Sequence, residues 1–263
     1  MKATEIRERL QTGGRVYGFM LSAIGVTRWG PFLAGSTIDY AVIDWEHGSR
    51  DRKEIQELCT MLQHGGVAPV VRVPVPMPVW VAMALDAGAV GVLVPYCEDP
   101  EEVRACVATA RWHPMKGEYL DRTSRTGEFP SSETKAYIDK RHDGTLVIIG
   151  IESEPGLGNL GEILGVGGID GIFVGPNDMT TSLGIPDDVT NPRYLEVLRE
   201  IVAVSERHGA AVMIHQQTLD TSVTAIELGA RFVLHFTDGR LLQLSLREQM
   251  ALLREAGERV GSE

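Results

Sequence analysis

Three features of the chain predict a (β/α)₈ barrel, an α/β fold with eight parallel strands. Short β-rich runs alternate with helix-patterned segments from end to end, and there are eight such runs. The 263 residues, 43% of them hydrophobic, match the length and core of one such barrel. No composition break divides the chain, so residues 1–263 are expected to form a single domain.

The elements follow in order. The start, Met1 to Leu10, is a charged helical pattern with no apolar signal core. Val16–Leu21 and Tyr40–Asp44 are the first two strands, and 51–63 follows with apolar residues at helical spacing. Strands at 69–73 and 91–95 enclose a helix at 78–87, and a helix at 101–111 comes next. The stretch 112–145 breaks the rhythm: it is long, polar and mixed in charge, with a short helix expected near 131–140. Strands at 146–152, Gly171–Val174, 211–214 and 232–235 complete the set, with helices at 192–208 and 218–228. Gly88, Gly168, Gly209 and Gly229 each fall between a helix and a strand, where a left-handed cap belongs.

Composition narrows the function. A formal net charge of −11 without a basic tract argues against nucleic acid or an anionic membrane as partner. No apolar stretch reaches the ~18–20 residues of a membrane span. Cys59, Cys97 and Cys106 form no C-x-x-C pair and no disulfide framework, which points to a reducing cytoplasm.

In a barrel, the C-terminal strand ends converge on one mouth. Glu152 stands just past Leu146-Val147-Ile148-Ile149, and Asp178 just past Ile172-Phe173-Val174. Neighbouring parallel strands bring these two carboxylates together, a donor set suited to a hard cation such as Mg²⁺ or Mn²⁺. Helix capping or a solvated loop is the alternative for either acid. Arg72, inside Val70-Val71-Arg72-Val73-Pro74, must face either an anionic ligand or a mouth carboxylate. His47, three residues after Asp44, is a candidate general base oriented by that Asp. His215 and His235 sit at later strand ends and read equally as inward-facing barrel residues. Gly156-Leu157-Gly158-Asn159-Leu160-Gly161 matches G-x-G-x-x-G, but Glu152 and Glu154 beside it would repel a pyrophosphate. No lysine stands at a strand end, so a Schiff-base mechanism has no candidate.

With these residues in place, the chain resembles the metal-dependent class II pyruvate aldolases of the HpcH/HpaI family, which includes 4-hydroxy-2-oxoheptanedioate and 2-dehydro-3-deoxyglucarate aldolases. The resemblance runs from about Arg15 to Asp238. It is carried by Asp44-Trp45-Glu46-His47, Val71-Arg72-Val73-Pro74, the run from Leu85 to Pro95, Ile151-Glu152 with Asn159-Leu160, and Gly175-Pro176-Asn177-Asp178 through Gly184. It implies a divalent metal ion, Mg²⁺ or Mn²⁺ with Co²⁺ as a further candidate, held by Glu152 and Asp178. It also implies Arg72 on the oxo-acid, His47 supported by Asp44 as base acting through water, and backbone amides near Asn177 and Asp178 on the substrate carboxylate. Asp86 would face a neighbouring subunit's site in a hexameric trimer of dimers with an exchanged C-terminal helix. The implied reaction is reversible cleavage of a 4-hydroxy-2-oxo acid to pyruvate, or a similar 2-oxo acid, and an aldehyde. Alternatives are a citrate-lyase-like or malyl-thioester lyase, and a non-catalytic barrel that binds a metal–oxo-acid complex. The chain departs from the family pattern at Gly150, where a Gln is common, at Met20, where an aromatic is common, and at 111–119, which lacks the expected arginine.

Overall fold

The computed structural model describes residues 1–33, 35–142 and 144–260. Its strands are β1 (Val16–Leu21), β2 (Tyr40–Asp44), β3 (Ala68–Arg72), β4 (Gly91–Val94), β5 (Leu146–Gly150), β6 (Gly171–Val174), β7 (Ala211–Gln216) and β8 (Phe232–Thr237). They close in sequence order, with β1 pairing in parallel to both β2 and β8. β2, β3 and β5 are buried on both faces, which is why they read as apolar runs rather than as alternating patterns.

Two apolar compartments result. Outside the strands, residues such as Ile43, Val71, Val92, Ile149 and Ile172 pack against the surrounding helices. Inside, Met20, Val42, Val70, Leu93, Ile148 and Phe173 fill the barrel, and helix Ala3–Gln11 closes its N-terminal end with Ala3, Ile6 and Leu10. Gly18 makes room for the largest interior side chain. A Cβ there would lie 2.6 Å from the Tyr40 ring, which instead crosses the interior, donates to the Val233 carbonyl at 2.9 Å and meets Phe232 edge-on. Below the strands, Asp170 accepts from Arg7 and Arg111, at 2.7 Å each, and from the Val147 N–H at 2.8 Å.

Several boundaries differ from the sequence reading. β5 ends at Gly150, so Glu152 lies two residues beyond the strand, although Ile151 N–H still donates to the Phe173 carbonyl. β7 and β8 run longer than expected and carry their polar ends, through Gln216 and Thr237, into the mouth. The long connection holds two helices. Ser132–His142 matches the expected one, and Gly117–Thr126 was not foreseen; its Arg125 pairs with Glu101 of helix Pro100–Trp112 at 2.9 Å. Asp143 of that connection lies outside the described residues.

The C-terminal helix, Asp238–Val260, meets β1 and β8 at its start, yet past Asp238 almost all of it is exposed. Among the described residues no helix is long and apolar enough to cross a membrane.

Candidate active site

Glu152 is 2% exposed. Its Oε1 accepts from the Tyr96 N–H at 2.9 Å, from a residue whose backbone is held in the left-handed region at φ 51. Burial pushes the Glu152 carboxyl up to about 8; Glu46 and Asp178 push the same way, against the Tyr96 N–H and Arg72. Asp178 is the third residue of helix Pro176–Ser182 and is exposed at the mouth. A Cβ at Gly175 would lie 2.1 Å from Glu152 Oε2 and 3.2 Å from Asp178 Oδ2. The two oxygens therefore flank a gap that only glycine leaves open.

That gap fits a small divalent cation. One carboxylate is buried without enough positive charge to keep it ionised, and a second stands beside it. Among the described residues no group of three or more His, Cys, Asp and Glu is placed to hold a metal. Two protein carboxylates suit an ion that keeps most of its positions for water and substrate oxygens.

β2 and β3 lie in register with Asp44 beside Arg72. The guanidinium grips Asp44 with two contacts, Nε to Oδ1 at 3.0 Å and Nη2 to Oδ2 at 2.8 Å, and Nη1 stands 3.0 Å from Glu46 Oε2. Burial opposes ionisation of Asp44, yet Arg72 and the His47 N–H together hold its carboxyl below the usual range. Glu46 shifts upward, because burial and the repulsion of Asp44 and Asp178 outweigh Arg72 and His47.

Here the structure corrects one expectation. Asp44 does not orient the His47 ring; both its oxygens serve Arg72, and Oδ1 also accepts from the Glu46 and His47 backbone N–H groups. Those backbone contacts turn the chain so that the ring points outward. It is mostly exposed, with Nε2 3.5 Å from Glu46 Oε2. Glu46 Oε2 thus stands between the Arg72 guanidinium and the His47 ring, and its position between Asp44 and His47 was the available signal.

A cavity of ≈ 280 Å³ at the mouth gathers Asp44, His47, Arg72, Asn177 and Asp178. Ser22, His215, Gln217 and Thr237 also line it, and of these the sequence singled out only His215. His235 is directed elsewhere: its ring packs on Phe236, and Nδ1 lies 2.7 Å from Ser222 Oγ. Asp86 sits at the end of the outer helix Pro78–Asp86, where it pairs with His113 at 3.0 Å and Arg52 at 3.3 Å, away from this chain's cavity. The glycine pattern at 156–161 spans two short helices, and a Cβ at Gly156 would lie 2.8 Å from the Cys97 carbonyl, so close packing accounts for that glycine. Gly150 has a comparable role. A Cβ there would lie 2.6 Å from Glu152 Oε1 and 2.9 Å from Pro95 Cα.

The family model described as HpcH/HpaI aldolase/citrate lyase matches residues 32–241. The chain belongs to the HpcH/HpaI family. Over 257 residues it is 30% identical to a protein of Escherichia coli (strain K12) named 2-keto-3-deoxy-L-rhamnonate aldolase, covering 94% of this chain and 92% of that one. It is 30% identical over 226 residues to the hydroxypyruvate/pyruvate aldolase of Roseovarius nubinhibens, covering 84% of this chain and 86% of that one. A crystal structure of an HpcH/HpaI aldolase/citrate lyase family protein from Burkholderia cenocepacia J2315 superposes with a TM-score of 0.81 at 26% identity, covering 95% of this chain and 99% of that one.

Proposed function

We propose that this HpcH/HpaI family member is a metal-dependent aldolase. It reversibly cleaves a 4-hydroxy-2-oxo acid to pyruvate, or a pyruvate-like 2-oxo acid, and an aldehyde. The observation that carries this reading is the buried Glu152 facing Asp178 across the gap at Gly175, beside an arginine in the same mouth. The named relatives act on 2-oxo acids, which supports it.

A divalent ion, with Mg²⁺, Mn²⁺ and Co²⁺ the candidates, would be held by Glu152 and Asp178 and would supply Lewis-acid stabilisation of the charge that develops on the oxo-acid. Arg72 adds a fixed positive charge. Its plane is locked by the two Asp44 contacts, so little reorganisation accompanies the chemistry. The backbone N–H groups of Asn177 and Asp178, in the first turn of their helix, have no helical acceptor and are assigned to the substrate carboxylate. His47, at the rim beside Glu46, takes the proton of the 4-hydroxyl as the carbon–carbon bond breaks and returns it on addition, directly or through water. The citrate-lyase-like reading is weaker. Arg72 is the cation lining the cavity, and it is already bound to Asp44 and Glu46, leaving no free cluster for a thioester's phosphates.

The same reading extends to assembly. We assign the exposed C-terminal helix to exchange between subunits of a homo-oligomer, a trimer of dimers in which Asp86 reaches a neighbour's site. An apolar groove of ≈ 340 Å³ lined by Tyr17, Phe19, Trp29, Ile38, Val223 and Ile226, together with Leu241 from the first turn of the helix itself, supports this, because it is an apolar surface beside the point where the helix leaves the barrel. The three buried, unpaired cysteines accord with a cytoplasmic location.

The decisive measurement is exchange of pyruvate C3 protons in heavy water, which reads enolisation without knowledge of the aldehyde. Exchange is expected with Mg²⁺ or Mn²⁺ and is expected to vanish on chelation. Full exchange or aldol activity after exhaustive chelation would overturn the assignment.

A further inference from the structure

The His47 ring is mostly exposed, with Glu46 as the side chain beside it, so it stands where its backbone puts it. That backbone, residues 45–50 between β2 and helix Arg52–His64, is fixed at both ends. At the near end Asp44 Oδ1 accepts from the Glu46 and His47 N–H groups. At the far end stands Arg50. Its carbonyl accepts from the Trp45 indole N–H at 2.8 Å, which closes the segment on itself, and the Trp45 ring is buried edge-on against Trp80. The Arg50 side chain is 5% exposed. Its Nη1 donates to Glu54 of the following helix, and its Nη2 donates to the Ile24 carbonyl at 3.1 Å, in the loop after β1.

The loop that receives Arg50 is itself anchored. Asp238, at the start of the C-terminal helix and 1% exposed, accepts from the N–H groups of Ser22, Ala23 and Ile24 at 3.0, 3.0 and 2.6 Å, and from the Ser22 hydroxyl at 3.1 Å. Burial opposes ionisation of this carboxyl, yet those N–H groups and that of Gly239 hold it below the usual range. Two glycines let the segments meet: a Cβ at Gly25 would overlap Glu54 Oε1, and one at Gly239 would lie 3.2 Å from Ala23 Cβ. A strap therefore runs across the ends of three neighbouring strands, β8, β1 and β2. None of Trp45, Arg50 and Asp238 lines the mouth cavity. Buried ionic groups are a poor source of stability. What this arrangement does fix is the path of residues 45–50 as they leave β2.

We propose that Arg50 is a positioning residue for proton transfer at His47: it ties the segment carrying His47 to the Asp238-anchored loop after β1, and so sets where the ring stands over the mouth. This rests on the aldolase reading above and goes beyond it by naming what places its base.

The test uses Arg50→Met, which keeps the aliphatic stem and removes every donor, and Trp45→Phe, which keeps a ring on Trp80 and removes the indole N–H. Each is compared with the wild type in pyruvate C3 exchange and in cleavage of the aldols of pyruvate with acetaldehyde and hydroxyacetaldehyde. Arg50→Met is expected to lower kcat for cleavage by up to ~10²-fold, the cost of a catalytic group displaced by about 1 Å, with KM unchanged. Exchange should stay at the wild-type rate, since pyruvate has no 4-hydroxyl proton for His47 to take. Trp45→Phe should shift the same ratio by a smaller factor, and it decides the matter if Arg50→Met does not fold. In a His47→Ala background neither substitution should lower cleavage further, because residues that act through one group are not additive. A merely structural role would lower exchange and cleavage together and would persist in that background; either result overturns the inference. So do wild-type cleavage rates in both variants, or a wild type that exchanges pyruvate protons and cleaves neither aldol. Absence of exchange in the wild type overturns the aldolase reading as well.

Discussion

Glu152 ionises in the unfolded chain near the usual ~4.3 for a glutamate, but only at about 8 in the folded, metal-free protein. Folding thus favours its protonated form. The stability this contributes is complete below the unfolded value and is lost as pH rises through the folded one. The Tm of metal-free protein should therefore fall between pH 5 and pH 9 more steeply in the wild type than in Glu152→Gln, which has no proton to lose. At pH 8 a divalent cation should restore Tm in the wild type and do little for the variant. Thermal denaturation across that range checks both, and parallel pH profiles for the two proteins would exclude Glu152 as the source. The effect extends to function: a cation at the Glu152–Asp178 gap displaces a proton, so its affinity should weaken as pH falls.

Among the elements, helix Pro176–Ser182 positions the site most directly. Its cap residue, Gly175, leaves open the space between the carboxylates, and its third residue, Asp178, supplies one of them. Gly175→Ala places a methyl 2.1 Å from Glu152 Oε2, so one of the two must move. A misplacement of about 1 Å in a catalytic group can cost ~10²-fold, and a loss of that order is expected in pyruvate exchange and in metal affinity. The far-ultraviolet spectrum should remain that of the wild type. Gly158→Ala is the control, since nothing lies within 4 Å of a Cβ there. Equal exchange rates for the two variants would show that the gap is not the cation site.

At the scale of the molecule, the barrel is closed and stapled at its base by Asp170, whereas the last helix is left largely unpacked. Leu242, Leu246, Met250 and Leu253 recur at helical spacing along it and are each half or more exposed. Such a stripe on a 23-residue helix is a large apolar surface to leave in water. Leu246→Glu with Leu253→Glu should convert an oligomer to smaller species in analytical ultracentrifugation while the barrel stays folded. A wild-type protein that sediments as a monomer, unaffected by the pair, would remove the exchanged-helix reading.

The eight alternating runs were enough to order the barrel, because parallel strands buried on both faces must be continuously apolar and each must be followed by a helix. The nearness of Glu152 and Asp178 was legible for the same reason: acids just past neighbouring parallel strands meet at one mouth. Partners and facing were not. Asp44 precedes His47 by three residues, yet the register of β2 against β3 delivers it to Arg72, and no local pattern encodes a contact across strands. His215 and His235 look alike in sequence. Only barrel closure, which sets the inward phase of each strand, sends one to the cavity and the other against Phe236 and Ser222. Gln217 stayed hidden because it lies past the predicted strand end, where the period of two no longer assigns a face. Gly150 and Gly175 are the last case. A glycine in the sequence shows that a side chain is absent, but only the folded chain shows that the space beside each belongs to Glu152.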